Sequence, residues 1–198
     1  QVYEKPFASA PQKIIDSVRN KLQRLSENKQ PLASVILICH NEETRLLSCL
    51  WSLCENQCDF PIEILAINNN SSDHTEEVLK QLGVTYSNEV QKGPGHARQC
   101  GLNQAKGAYH ICIDADTIYP PHYIETHIKE LRKKGVVGTF SLWSFIPDKT
   151  HSKFGLWLYE TLRDLHLTIQ AIQRPELCVR GMTFGFNTEL GRRFGFRK

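Results

Sequence analysis

The chain has 198 residues, 40% of them hydrophobic and 23% charged, with 24 basic against 21 acidic side chains for a formal net charge of +3. This length supports one domain with its own core, and the composition is that of a globular protein, without low-complexity tracts or solenoid repeats. So small a basic excess gives no nucleic-acid footprint and at most mildly favours an anionic ligand.

Seven cysteines are scattered without C-x-x-C spacing, so neither a disulfide framework nor a zinc site is indicated; Cys39 and Cys112 sit in apolar runs and read as small buried hydrophobes. A reducing cytoplasm is the expected compartment. No apolar run reaches the ~20 residues of a membrane span, and the N-terminus lacks the apolar core of a signal peptide.

In chain order, Ile14, Ile15, Val18, Leu22 and Leu25 form one stripe, which predicts a leader helix within residues 1–31. Ser34–Cys39 is a short apolar, β-rich run suited to a parallel strand buried on both faces, ending at His40-Asn41-Glu42-Glu43. Leu46, Leu47, Leu50, Leu53 and Cys54 then recur at helical spacing. A second strand, Ile62–Ile67, meets Asn68-Asn69-Asn70, and Asp73 with Glu76 reads as a capping box for the next helix. A third strand near Val84–Tyr86 leads through Lys92-Gly93-Pro94-Gly95 into a helix stopped by Gly107, and Tyr109–Ile113 is the fourth strand.

Alternating strands and helices imply an α/β fold, an open and mostly parallel sheet with helices on both faces, of the Rossmann-like nucleotide-binding kind. Such sheets bind ligands beyond the carboxyl ends of their strands, where His40-Asn41-Glu42, Asn68-Asn69 and Asp114-Ala115-Asp116 lie. Farther on, Val136–Phe140 reads as a strand. Phe154, Leu158, Leu162, Leu165, Ile169 and Ile172 mark one helix face, read either as packed in the core or as an acceptor-side or membrane-surface contact.

Asp114 and Asp116 place two carboxylates at the ligand edge. Such a pair suits Mg2+ or Mn2+ shared with substrate phosphates, or else serves as turn and N-cap aspartates before Pro120-Pro121.

Together these segments resemble family 2 glycosyltransferases of the GT-A fold. The resemblance rests on Asn41-Glu42-Glu43, on Ile67–Thr75, on Gly93-Pro94-Gly95-His96-Ala97-Arg98-Gln99-Cys100-Gly101, and on Asp114-Ala115-Asp116, with a weaker stretch at 180–196. It implies metal-dependent, inverting transfer of a sugar from a nucleotide diphosphate, with UDP the expected nucleotide, to a glycan or lipid-linked acceptor in cell-surface polysaccharide or glycolipid synthesis. Peripheral association with the inner face of the membrane would accompany that role.

By the same resemblance His40 and Glu42 meet the base and ribose, Asn69 the uracil, Arg98 the base or diphosphate, and Asp114 with Ala115 the ribose side. Asp116, with Asp114, would hold Mn2+ or Mg2+. The family often has Tyr where this chain has His40 and Asp where it has Asn68 and Asn69, which opens the choice of base. Residues 32–120 would form the nucleotide-sugar half of a GT-A domain and 121–198 an acceptor-side half, incomplete at its end, with the catalytic base expected beyond Lys198.

Two rival readings stand beside this one. Ile111–Thr117 also fits the Asp-x-Asp-x-Thr signature of haloacid-dehalogenase-type phosphatases, with Asp114 as nucleophile and Asp116 as acid. That family carries the motif on its first strand with further aspartates downstream, whereas here three strands precede it and only Asp148 and Asp164 follow. A non-catalytic nucleotide-sugar-binding module is the other.

Overall fold

A computed structural model describes residues 2–26, 30–147 and 151–197; Asp148 and Lys198 lie outside them. The elements run α1 (Gln12–Ser26), β1 (Ala33–Cys39), α2 (Leu46–Cys54), β2 (Ile62–Asn69), α3 (Thr75–Leu82), β3 (Thr85–Glu89), α4 (Pro94–Gln104) and β4 (Tyr109–Asp114). They continue as α5 (Tyr123–Leu131), β5 (Gly138–Phe140), α6 (Lys153–Gln173), β6 (Phe184–Asn187) and α7 (Thr188–Phe194).

The sheet order is β3-β2-β1-β4-β6-β5. β1 pairs in parallel with β2 and β4, and β2 with β3, while β6 runs antiparallel to both β4 and β5. Local pairing dictates this: β1 to β4 are separated by helices, whose crossovers return the chain in the same direction. β6 follows α6 and enters from the opposite end.

Alternate residues of β1 enter two cores. Val35, Leu37 and Cys39 join α1, α2, α3 and α5 on one face, and Ile36 meets Leu65, Ile67, Ala97 and Ala105 under α4 on the other. Burial on both faces explains why this strand lacks polar alternation.

Several local expectations are corrected. Asp73 does not form a capping box with Glu76. Its carboxylate accepts from the Thr75 N–H and hydroxyl and from the Glu43 N–H, tying the α3 turn to the end of β1, while Glu76 turns to Tyr86 and Lys80. Burial would raise the Asp73 pKa, but those bonds hold it below its ordinary value. Gly107 does not stop α4, which ends at Gln104; its role is close approach, since a Cβ there would sit 2.6 Å from the Ala33 backbone.

The stripe on α6 is not core. Leu167 is the one buried residue of the helix, and the apolar residues of the stripe are exposed.

Candidate functional site

The ends of β1, β2 and β4 surround a cavity of about 270 Å³, lined by His40, Glu42, Asn69, Asp114, Ala115 and Asp116 together with Ile38, Cys39, Lys92, Gly93, Pro94 and Ala97. Just beyond the ends of β1 and β2 stands an asparagine with positive φ, Asn41 at 58° and Asn70 at 55°, which turns the chain sharply off the strand. Asn41 Oδ1 accepts from the Ser72 N–H, and the Asn41 N–H donates to Ser71, so the two turns brace one another.

His40 and Asn69 form one unit. The carbonyl of Asn69 can only accept, so His40 Nδ1, 2.7 Å away, carries the proton and Nε2 is left as an acceptor. The Asn69 amide donates to the Glu89 and Gln91 carbonyls at 3.2 and 2.7 Å, and its oxygen accepts from the Gly93 N–H at 2.8 Å. The side chain expected to read a base therefore shapes the cavity wall. Gly93, at φ 133°, ψ 144°, holds a backbone conformation that only glycine adopts readily, and it delivers the chain to Pro94 at the start of α4.

Asp114 faces Arg98, whose Nη2 donates to Oδ1 at 2.8 Å, and both side chains are largely buried. Arg98 is not among the cavity-lining residues, so it braces Asp114 from behind. Gly181 is what lets the guanidinium lie there: a Cβ on it would come within 2.6 Å of Arg98 Cζ. Burial raises the Asp114 pKa, with Arg98 opposing and Asp116 adding to the rise. Tyr119 fixes the end of β4 by accepting from the Asp114 N–H at 2.9 Å and donating to the Met182 carbonyl at 3.1 Å.

Asp116 is exposed and held by a 3.1 Å bond from its neighbour Thr117. Across the cavity, burial raises the Glu42 pKa and the charge of Asp116 raises it further, with Arg45 opposing at 3.5 Å. Glu42 Oε2 is buried and has no hydrogen-bond partner.

These observations decide whether a cation fits. Among the described residues no group of three or more potential ligands closes around an ion. Asp116 is available while Asp114 is turned to Arg98, so a hard cation here would take most of its ligands from a bound molecule and water. Mg2+-type ions are held in this way beside phosphates, and the mutually repelling carboxylates of Glu42, Asp114 and Asp116 give the negative potential that favours one.

Residues that the sequence did not point to complete the neighbourhood. Lys92 lies at the cavity rim, and a second pocket of about 310 Å³ adjoins Asp116, with Tyr3, Arg45, Trp143, Phe145 and Met182 on its wall. Tyr3 arrives through the N-terminal segment, fixed by an ion pair of Glu4 with Arg45 at 3.1 Å.

The profile of the family described as Glycosyl transferase family 2 matches residues 34–190. An uncharacterized glycosyltransferase of Rickettsia prowazekii is 30% identical over 129 residues, which is 63% of this chain and 40% of that protein. A poly-beta-1,6-N-acetyl-D-glucosamine synthase of Staphylococcus epidermidis is 29% identical over 147 residues, 69% of this chain and 32% of that one. The chain thus spans well under half the length of these relatives.

Among solved structures, a mannosyltransferase of Pyrobaculum calidifontis in complex with GDP-Man and Mn2+ superposes with TM-score 0.64 at 17% identity, over 94% of this chain and 56% of that one. The glucosyl-3-phosphoglycerate synthase of Mycobacterium tuberculosis, with Mn2+, UDP-Glc and phosphoglyceric acid, gives 0.57 at 21% identity, over 87% and 61%. These likenesses establish the GT-A fold. In this fold the Asp-x-Asp stands on the fourth strand with Asp114 bonded to Arg98, which sets the phosphatase reading aside. With the family profile spanning most of its length, the chain belongs to glycosyl transferase family 2.

Proposed function

We propose that this chain is the donor-binding part of a metal-dependent, inverting glycosyltransferase that takes its sugar from a nucleoside diphosphate, with UDP as the expected nucleotide. One observation carries the reading: Asp116, at the end of β4, lies exposed between the strand-end cavity and the aromatic pocket. A diphosphate bound there lies between nucleotide and acceptor. Solved structures of the same fold that hold GDP-Man or UDP-Glc with Mn2+ support a nucleotide-sugar donor and a divalent cation.

In this reading the base and ribose occupy the cavity, with His40 stacking on the base and the Glu42 carboxylate accepting from a ribose hydroxyl. Ala115 lies against the ribose, and Lys92 faces the phosphates. Asp116, with Asp114 behind it, would hold Mn2+ or Mg2+, which supplies charge neutralisation for the departing diphosphate. Residues 121–198 form the acceptor side, toward a glycan or lipid-linked acceptor in cell-surface polysaccharide or glycolipid synthesis at the cytoplasmic face of a membrane. A carboxylate would deprotonate the acceptor hydroxyl.

Thermal denaturation with UDP, GDP and CDP, each with and without Mn2+, tests the reading. The expected result is a rise in melting temperature that needs one nucleotide and the cation together. No stabilisation by any pair refutes it.

A further inference from the structure

Helix α6 turns its apolar side away from its own domain. Its inner side is seated by buried Leu167, whose carbonyl accepts from Cys178 Sγ, and by Arg163, which bonds the Trp143 carbonyl and lies over the Trp143 ring. On the opposite side Phe154, Trp157, Leu162, Leu165, Ile169 and Ile172 are 58–81% exposed. At about 100° per residue these fall on one stripe, into which only threonines, no charged residue, intrude. A lone exposed leucine means nothing, whereas a contiguous stripe five turns long means an interaction surface.

Its chemistry selects the occupant. Trp and Phe with Leu and Ile, on a helix too polar overall to cross a bilayer, is the composition of a helix that lies in a membrane interface. Exposed cations bracket the stripe, Lys153 at one end and Arg180 at the other. The nearby acids are tied down: Glu160 accepts from the Phe145 N–H, Asp164 pairs with Arg163 and Glu176 with Arg174. The stripe also continues toward the site, because Phe145, 6.1 Å from Tyr159 of α6 between ring centroids, is half-exposed beside Ile146, and both line the pocket that contains Asp116.

We propose that this face of α6, with Phe145 and Ile146, docks on a bilayer surface containing anionic lipids and sets the Asp116 pocket beside it. The docking stands on its own; only the delivery of a lipid-borne acceptor rests on the transferase reading.

Flotation of the chain with vesicles of phosphatidylcholine, with and without phosphatidylglycerol, tests the proposal, beside a variant carrying Leu162→Glu and Ile169→Glu. Both positions are exposed, so the variant keeps its fold, checked by circular dichroism. The chain is expected to float with the phosphatidylglycerol vesicles more than with neutral ones, and the variant to lose at least about tenfold in partitioning. Flotation that is absent, or unchanged in the variant, overturns the proposal. So does a concentration-dependent dimer in sedimentation that the same variant disperses, since the face would then belong to a second copy. Nucleotide-dependent thermal stabilisation, measured in parallel, fails or holds independently.

Discussion

The centre of the sheet carries a buried histidine that makes the fold acid-sensitive, and the effect can be sized. His110 on β4 is fully buried, stacks on Phe186 at 4.7 Å, and has no hydrogen-bond partner at either ring nitrogen. Burial, reinforced by the charge of Arg192, pushes its pKa from 6.5 down to about 3. The folded pKa is the lower one, so protons bind the unfolded chain first. Stability is intact above 6.5 and is lost as pH falls from there toward 3. At about pH 4.5 the penalty is about two units at ~1.36 kcal/mol each, or roughly 3 kcal/mol.

Leucine at this position has nearly the same volume and nothing to protonate. Urea denaturation of wild type and His110→Leu near pH 7.5 and 4.5 should show similar stability at the higher pH, within about 1 kcal/mol. The variant should lose roughly 3 kcal/mol less on acidification, a difference in midpoint of roughly 1 M urea. His127, held down to about 4 by burial, stays in both proteins and cancels. Equal pH slopes in the two proteins would refute the reasoning.

Asn69→Ala removes three hydrogen bonds that hold the segment from Glu89 to Gly93 against β2. It should cost about 2 kcal/mol and raise amide exchange in that segment more than in β1, and uniform exchange would contradict the assignment. Gly181→Ala should push the Arg98 guanidinium off Asp114 and weaken nucleotide binding with little loss of melting temperature. Unchanged affinity, measured by calorimetry, would show that the pair does not position the site.

β1, β2 and β4 were legible because burial on both faces leaves mostly apolar runs, interrupted by Ser34 in β1, Glu63 in β2 and His110 in β4, and their order as βα units placed His40, Glu42, Asn69, Asp114, Ala115 and Asp116 at one sheet edge, where they line one cavity. Arg98 was expected at the ligand and instead backs Asp114, because α4 reaches the site from the other face of the sheet and spacing along a helix does not say which side it presents. β6 gave no strand signal, since Phe184-Gly-Phe-Asn is short and holds a glycine that lies against the His110 carbonyl. The α6 stripe was visible as a period of 3.6, but periodicity reports that a face is apolar and not what it meets. Tyr3 joins the Asp116 pocket through contacts over a hundred residues apart, for which no local pattern exists.

In the function proposed, a cation on Asp116 joins this chain to a nucleoside diphosphate. Calorimetric titration of UDP, GDP and CDP, with and without Mn2+, into wild type and Asp116→Ala tests it most directly. One nucleotide is expected to bind wild type tightly only with Mn2+, and the alanine variant to keep its fold and lose the Mn2+-dependent part of the affinity. Equal Mn2+-dependent affinity in the two proteins would contradict it.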